Sequence, residues 1–248
     1  MKTETSLVDK RALVTGASSG IGRAIACELG GRGCRVALLA RRADRLHETA
    51  ALLEPGTATV HPVDLADVGK TQKVVAEAAA ALGGLDIVVN AAGVGRQAKL
   101  IDGPVEDWKD MLDINVMALA VVTREALPFF PAAGGHVVNI GSLSGHRVPG
   151  RGGFYAATKF AVRAMTEGLR QELRERNDLT RVSSISPGFV DTDLLDEYFS
   201  GGDQSKQDAI GYPILKPEEV AELVIRQLTM PPTAEVTDIL VRPTGQKT

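Results

Sequence analysis

RALVTGASSGIGRAIACEL, Arg11–Leu29, is the stretch that decides the fold. A short apolar run, Ala12–Val14, leads directly into glycines, and Ala, Ile and Leu then recur at helical spacing. The reading is strand, tight turn, helix. Gly16, Gly20 and Gly22 stand in a G-x-x-x-G-x-G arrangement. Without a Cβ, glycine permits a tight turn, lets a ligand's phosphates approach the backbone and lets helix pack closely on strand. Free N–H groups at the start of the helix, with the positive end of its dipole, then suit a pyrophosphate. Such glycines also occur in ordinary strand-to-helix turns. The strand before and the helix after make nucleotide binding the preferred reading.

The same alternation continues outward. RVALLA, ATVHPVDL, LDIVVNAAG, GHVVNIGS, RVSSISPG and VTDILVRP read as six further strands. Helices are predicted over about Gly20–Gly33, Asp44–Leu53, Asp67–Leu82, Val105–Phe129 and Gly150–Asn177, with another beginning near Pro217, a tolerated early helix position. Strands that are continuously apolar and separated by helices predict a parallel sheet covered on both faces, an α/β class, with right-handed crossovers. No linker divides residues 1–248, so one domain is expected. The stretch 191–215 lacks clear periodicity and reads as a lid or substrate loop.

Composition narrows the function. The chain has 248 residues, 24% of them charged, and a net charge of −3 without a basic stripe, so nucleic acid is not an expected partner. Cys27 and Cys34 form no Cys-x-x-Cys pair, which leaves neither a disulfide framework nor a metal site. The polar start MKTETSLVDK lacks the apolar segment of a signal peptide. The most apolar stretch, Val74–Gly95, is interrupted by Glu77, Asp86 and Asn90, which argues against a membrane span. A soluble, cytoplasmic protein is expected.

Tyr155 and Lys159 lie four residues apart and so share one helix face. Alone, they read as two amphipathic side chains on a helix. Their company changes the reading. NAAG, Asn90–Gly93, ends the fourth strand; Asn115 lies in the next helix; Ser142 ends the fifth strand; SPGFVDT, Ser186–Thr192, ends the sixth. With the Thr-Gly-x-x-x-Gly-x-Gly turn, this ordered set resembles the short-chain dehydrogenase/reductase family over nearly the whole chain. The resemblance implies a doubly wound Rossmann fold with a seven-stranded parallel sheet. It implies an oxidoreductase with Asn115, Ser142, Tyr155 and Lys159 as catalytic residues.

It also implies a cofactor site. Gly16, Ser18, Ser19, Gly20, Ile21 and Gly22 would receive the pyrophosphate side, Asp64 and Leu65 the adenine, and Asn90, Ala91 and Gly93 the middle of the dinucleotide. Tyr155, Lys159, Pro187, Gly188, Val190 and Thr192 would surround the nicotinamide and its ribose. A carboxylate at the end of the second strand normally accepts the ribose hydroxyls and repels a 2′-phosphate. In the family's register Ala40 stands there, followed by Arg41 and Arg42, whose guanidiniums suit a phosphate. NADP(H) is therefore expected. Carbonyl reduction needs a proton donor within hydrogen-bond reach of the oxygen. Tyr155 is the expected donor, its pKa lowered by the Lys159 ammonium. Ser142 would fix the substrate oxygen, and Asn115 would hold a water leading to Lys159.

Leu194, Leu195, Tyr198, Phe199 and Tyr212 suit either a lid over an apolar substrate or a subunit interface. His146, Arg147 and Arg151 are candidates for substrate contact or for solvated loop residues. SGHRV, TEGLRQELRE and ILVRPTGQ resemble a subgroup with animal reductases of ketosteroids and dicarbonyls and bacterial carbonyl reductases of secondary metabolism. The expected reaction is reversible reduction of a ketone or aldehyde by an enzyme working as a homo-oligomer, tetramer or dimer. Oxidation of small 3-hydroxy acids is the alternative. A regulator that binds NADPH without turnover, and an epimerase or dehydratase on the same fold, are further options.

Overall fold

The computed structural model describes residues 5–150, 152–200, 206 and 210–247. Seven parallel strands form one sheet in the order β3-β2-β1-β4-β5-β6-β7. They are β1 Arg11–Thr15, β2 Arg35–Ala40, β3 Ala58–Pro62, β4 Ile87–Asn90, β5 His136–Ile140, β6 Arg181–Pro187 and β7 Asp238–Val241. The helices are α1 Gly20–Gly30, α2 Ala43–Ala50, α3 Val68–Leu82, α4 Val105–Leu112, α5 Leu119–Ala126, α6 Gly153–Glu175, α7 Asp193–Ser200 and α8 Pro217–Leu228.

Strand residues alternate between two cores. Ala12 and Val14 face α1 and α8 through Ile25, Leu29, Val220 and Val224. Leu13 and Val88 face α3 and α5 through Val75, Ala78, Leu82 and Val122. Helices cover both faces, which explains why strands such as β4 are buried at every position. The order reverses between β1 and β4. In open α/β sheets that switch point opens a crevice beyond the carboxyl ends of the strands, where ligands bind.

Two predicted elements differ. The single helix expected over 105–129 is a π-helical turn, Asp113–Ala118, between α4 and α5, and ends in a 3-10 turn, Leu127–Phe129. Within the stretch predicted to be irregular, residues 193–200 form α7. Its Leu195 and Phe199 are buried at the i, i+4 spacing of one helix face. Asp67 caps α3: its side chain accepts from the Lys70 N–H at 3.0 Å. Among the described residues, no helix is long and apolar enough to cross a membrane.

Candidate active site

The crevice at the switch point is a cavity of about 1390 Å³. That exceeds the ~300–1,000 Å³ typical of a single small-ligand pocket and leaves space for two molecules side by side. Its first wall is the glycine turn. Gly16 adopts φ +67°, and a Cβ there would stand 2.8 Å from the Ala92 nitrogen. A Cβ on Gly22 would stand 2.7 Å from the Gly16 carbonyl carbon. Both positions therefore have to be glycine for β1, α1 and β4 to come together. The Thr15 hydroxyl fixes the junction by accepting from the Ala91 and Ala92 N–H groups, each at 3.1 Å. Ser19 is the N-cap of α1, and its side chain makes no cap hydrogen bond. Ser18, Ser19, Gly20 and Ile21 line the cavity around that helix start. The glycines form a cradle that a Cβ would fill, above the positive end of a helix, so these residues fit a dinucleotide's phosphates.

At the end of β2, Ala40 supplies no carboxylate, and Arg41 and Arg42 line the cavity. Arg42 donates to the Ser19 hydroxyl at 3.0 Å and to that of Ser18 at 3.4 Å, with Asp193 at 3.6 Å. Val63, Asp64 and Leu65 line the cavity beyond β3. The Asp64 side chain accepts from the Ala66 N–H at 3.1 Å. Ala91, Ala92, Gly93 and Val94 continue the wall after β4, and Pro187, the last residue of β6, continues it with Gly188, Phe189, Val190 and Thr192. Thr192 also packs on the glycine turn: a Cβ on Gly20 would lie 3.0 Å from its Cγ2.

Ser142, Tyr155 and Lys159 line the same cavity. Ser142 caps a 3-10 turn, Leu143–Gly145, with its hydroxyl accepting from the Ser144 N–H at 3.1 Å. Lys159 is buried and donates to the Ile140 carbonyl at 3.0 Å. Its ammonium stands 5.9 Å from the Tyr155 ring centroid. The expected lowering of the Tyr155 pKa is corrected by the structure. Burial pushes the phenol up to about 12, and a hydrogen bond with Ser142 only partly offsets it. Burial also brings Lys159 down to about 8. At neutral pH the phenol therefore keeps its proton, the form needed to donate it.

Two predicted residues do not line the cavity. Asn90 turns into the core, where its Nδ2 donates to Thr123 and to Asn139, both at 2.9 Å. It ties β4 to β5 and α5. Asn115 is buried in the π-helical turn. Its Oδ1 accepts from the Val94 N–H at 2.9 Å, while its Nδ2 donates to the Val94 carbonyl at 2.9 Å and to Thr158 at 3.0 Å. It therefore braces the wall that carries Val94 and the helix that carries Tyr155. The extra residue of the π turn aims it there, a device common at functional sites. His146 also turns away, toward Ser186 at 3.1 Å and Asp238 at 3.0 Å. Arg147 lines the cavity, and Arg151 lies outside the described residues.

Helix α7 closes the cavity over Tyr155. The Tyr198 ring meets that of Tyr155 edge-on, centroids 5.7 Å apart, and Leu194 packs on Gly93 and Gly95. An Arg96–Glu197 ion pair fastens α7 to the loop after β4. Gln97, Phe189 and Gln246 complete the lining without having been singled out in the sequence. The buried Oε1 of Gln97 has no partner among the described residues. Nor do the described residues contain a cluster suited to a metal ion.

Residues 10–202 match the family model described as short chain dehydrogenase. The chain is 41% identical over 253 residues to dehydrogenase/reductase SDR family member 11 of Bos taurus, covering 97% of this chain and 98% of that protein. The human protein of the same name is also 41% identical, with 97% and 96% covered. An uncharacterised oxidoreductase of Staphylococcus aureus is 38% identical over 240 residues, with 96% and 99% covered. Among solved structures, the closed form of serine dehydrogenase complexed with NADP+ superposes with a TM-score of 0.86 at 30% identity, covering 96% of each chain. An alcohol dehydrogenase from the archaeon Thermococcus sibiricus complexed with 5-hydroxy-NADP gives 0.83 at 28% identity, covering 96% of this chain and 98% of that one. A phosphate cradle at the switch point, a buried Tyr–Lys pair beside Ser142 and these whole-length matches lead to one conclusion: the chain belongs to the short-chain dehydrogenase/reductase family.

Proposed function

We propose that this enzyme reduces a ketone or aldehyde to an alcohol, reversibly, with NADPH as cofactor. The observation that carries the reading is the convergence of Ser142, Tyr155 and Lys159 on the cavity that begins at the glycine turn and Arg41–Arg42. When bound, NADPH supplies the hydride. Tyr155 gives its phenolic proton to the carbonyl oxygen, and Ser142 holds that oxygen in place. Lys159, still mostly an ammonium at pH 7, stabilises the phenolate left behind and holds the nicotinamide ribose. Asn115 keeps the wall between Val94 and Thr158 in register.

Arg41 and Arg42 grip the 2′-phosphate, with no carboxylate at Ala40 to repel it. Gly16, Ser18, Ser19, Gly20, Ile21 and Gly22 bind the pyrophosphate. Asp64 and Leu65 flank the adenine, and Ala91 and Gly93 line the middle of the site. Pro187, Gly188, Val190 and Thr192 border the nicotinamide. The NADP ligands of the two similar structures support this choice of cofactor.

The substrate reading is a secondary-metabolite, steroid-like or dicarbonyl compound. It rests on the apolar lid of Leu194 and Tyr198 and on the size of the cavity. The likeness to serine dehydrogenase favours oxidation of a small 3-hydroxy acid as the second reading, since serine is such an acid. The enzyme works in the cytoplasm as a homo-oligomer. Exposed Leu112, Met117 and Phe160 on neighbouring elements suit a subunit contact, which sedimentation tests.

The functional test follows NADPH absorbance with steroid ketones, dicarbonyls, keto esters, keto acids and aldehydes, and NADP+ reduction with 3-hydroxy acids. Oxidation of NADPH by at least one carbonyl class supports the reading. Tight NADPH binding without turnover across the whole panel would leave a cofactor-binding regulator in its place.

A further inference from the structure

Arg147 is a half-buried residue on the cavity wall, and its guanidinium has neither an ion pair nor a hydrogen bond among the described residues. Its neighbours add to its charge rather than offset it. Burial and the nearby Arg242 guanidinium both push its pKa down, and the phenol of Tyr212 is the group that acts the other way. Lys247 also lines the cavity. The acid that lines the lid side, Glu197, is committed to Arg96. Asp64 and Asp193 stand with the cofactor turn and Arg42. Among the described residues, positive charge is thus left uncompensated in one place inside the cleft. A guanidinium that faces the cleft without an acidic partner is free to form a charge-assisted, bidentate contact with an anionic occupant.

The position is also built. His146, the preceding residue, is anchored to Ser186 and Asp238, which fixes the chain where Arg147 leaves it. Val148, Pro149 and Gly150 continue the cavity wall, and Gly152 meets the Tyr198 ring that lies against Tyr155. The segment that carries Arg147, between Ser142 and Tyr155, therefore borders the substrate side of the cleft, and the guanidinium lies near Tyr212 and Arg242.

We infer that Arg147 binds an anionic group, a carboxylate, at the far end of the carbonyl substrate, so that the preferred substrates are keto acids or their hydroxy-acid counterparts. This rests on the carbonyl-reductase reading and, within it, favours acidic substrates, the class of the second substrate reading, over neutral steroid-like ones. A charge-assisted contact of this kind corresponds to roughly ten- to hundredfold in kcat/KM.

The experiment uses the full chain and a series of keto acids, with the carboxylate one to four carbons from the carbonyl, each paired with its methyl ester. Wild type should prefer at least one acid to its ester by tenfold or more. In Arg147→Met that ratio should collapse toward one, and Arg147→Lys should keep part of it. Added salt should raise KM for the acid more than for the ester. Equal use of acid and ester by wild type throughout the series would overturn the inference. So would an acid preference that survives in Arg147→Met, or a shift of Arg147→Met to a smaller oligomer in sedimentation, which would assign the guanidinium to a subunit contact. Turnover of esters and neutral ketones without any acid preference would sink this inference alone. No turnover of any carbonyl would remove the reductase reading beneath it.

Discussion

Gly22→Ala sets two known effects against each other. Gly22 lies in the first turns of α1, and replacing a helical glycine by alanine ordinarily stabilises by ~0.5–1 kcal/mol. Here the added methyl would sit 2.7 Å from the Gly16 carbonyl carbon and 3.0 Å from the Thr15 carbonyl oxygen, while ordinary contact begins near 3.4 Å. The start of α1 must move by at least about 0.7 Å, the difference between 3.4 and 2.7 Å, and further to clear the Gly16 carbonyl oxygen, which is nearer still, away from a backbone that cannot yield. Overpacking of this sort costs about 1–3 kcal/mol, so a net loss of about 1–2 kcal/mol is expected. In a chain of this size that lowers Tm by roughly 2–8 °C. Because the moved backbone is the phosphate cradle, NADPH affinity should fall at least tenfold as well. Gly168→Ala is the control: Gly168 is also helical, but nothing lies within 4 Å of its added Cβ. It should raise Tm by a few degrees. Melting curves and NADPH fluorescence titrations of both variants decide the matter. If Gly22→Ala melts as high as Gly168→Ala and binds NADPH like wild type, the close packing of β1, α1 and the cofactor turn is refuted.

Further expectations concern charge. Arg42→Met should lower the NADPH-to-NADH ratio of kcat/KM by about tenfold, the low end for a charge-assisted contact, because the guanidinium is about half exposed and partly screened; an unchanged ratio would take Arg42 out of phosphate recognition. His136 is buried and held neutral, its pKa depressed to about 3 by burial and by Arg181. The unfolded chain binds that proton near pH 6.5, so stability is complete above 6.5 and is lost as pH falls toward 3, by about 1.4 kcal/mol per pH unit. Urea midpoints at pH 6.5, 5.5 and 4.5 should show this slope in wild type and less of it in His136→Gln. Equal slopes would mean that other groups dominate acid unfolding.

How far the sequence could be read depended on the range of the interactions involved. The strands were legible because both faces of the sheet are covered, which makes Leu13 and Val14 apolar alike. The glycine turn was legible because its glycines fall within seven residues of one another and Gly22 meets Gly16 and Thr15, although Gly16 and Gly20 also answer to the distant Ala92 and Thr192. The π-helical turn at Asn115 was not, because Val94 and Thr158, each distant in the chain, hold its amide. The inward turn of Asn90 depends in the same way on Thr123 and Asn139. Helix α7 was missed because only two turns of pattern, Leu194–Phe199, mark it. The protonation of Tyr155 follows from how fully the pocket and Tyr198 bury it, and the four-residue spacing to Lys159 carries no information about that.

Replacement of Tyr155 by Phe tests the central claim most directly, since it removes the phenolic oxygen and its proton and little else. With a carbonyl that wild type reduces, stopped-flow measurement of NADPH oxidation should show Tyr155→Phe slowed by roughly 10²–10⁴-fold, the usual contribution of a positioned general acid. The variant should still quench or shift NADPH fluorescence on binding. Turnover within a few-fold of wild type would contradict the account and remove Tyr155 as the proton donor.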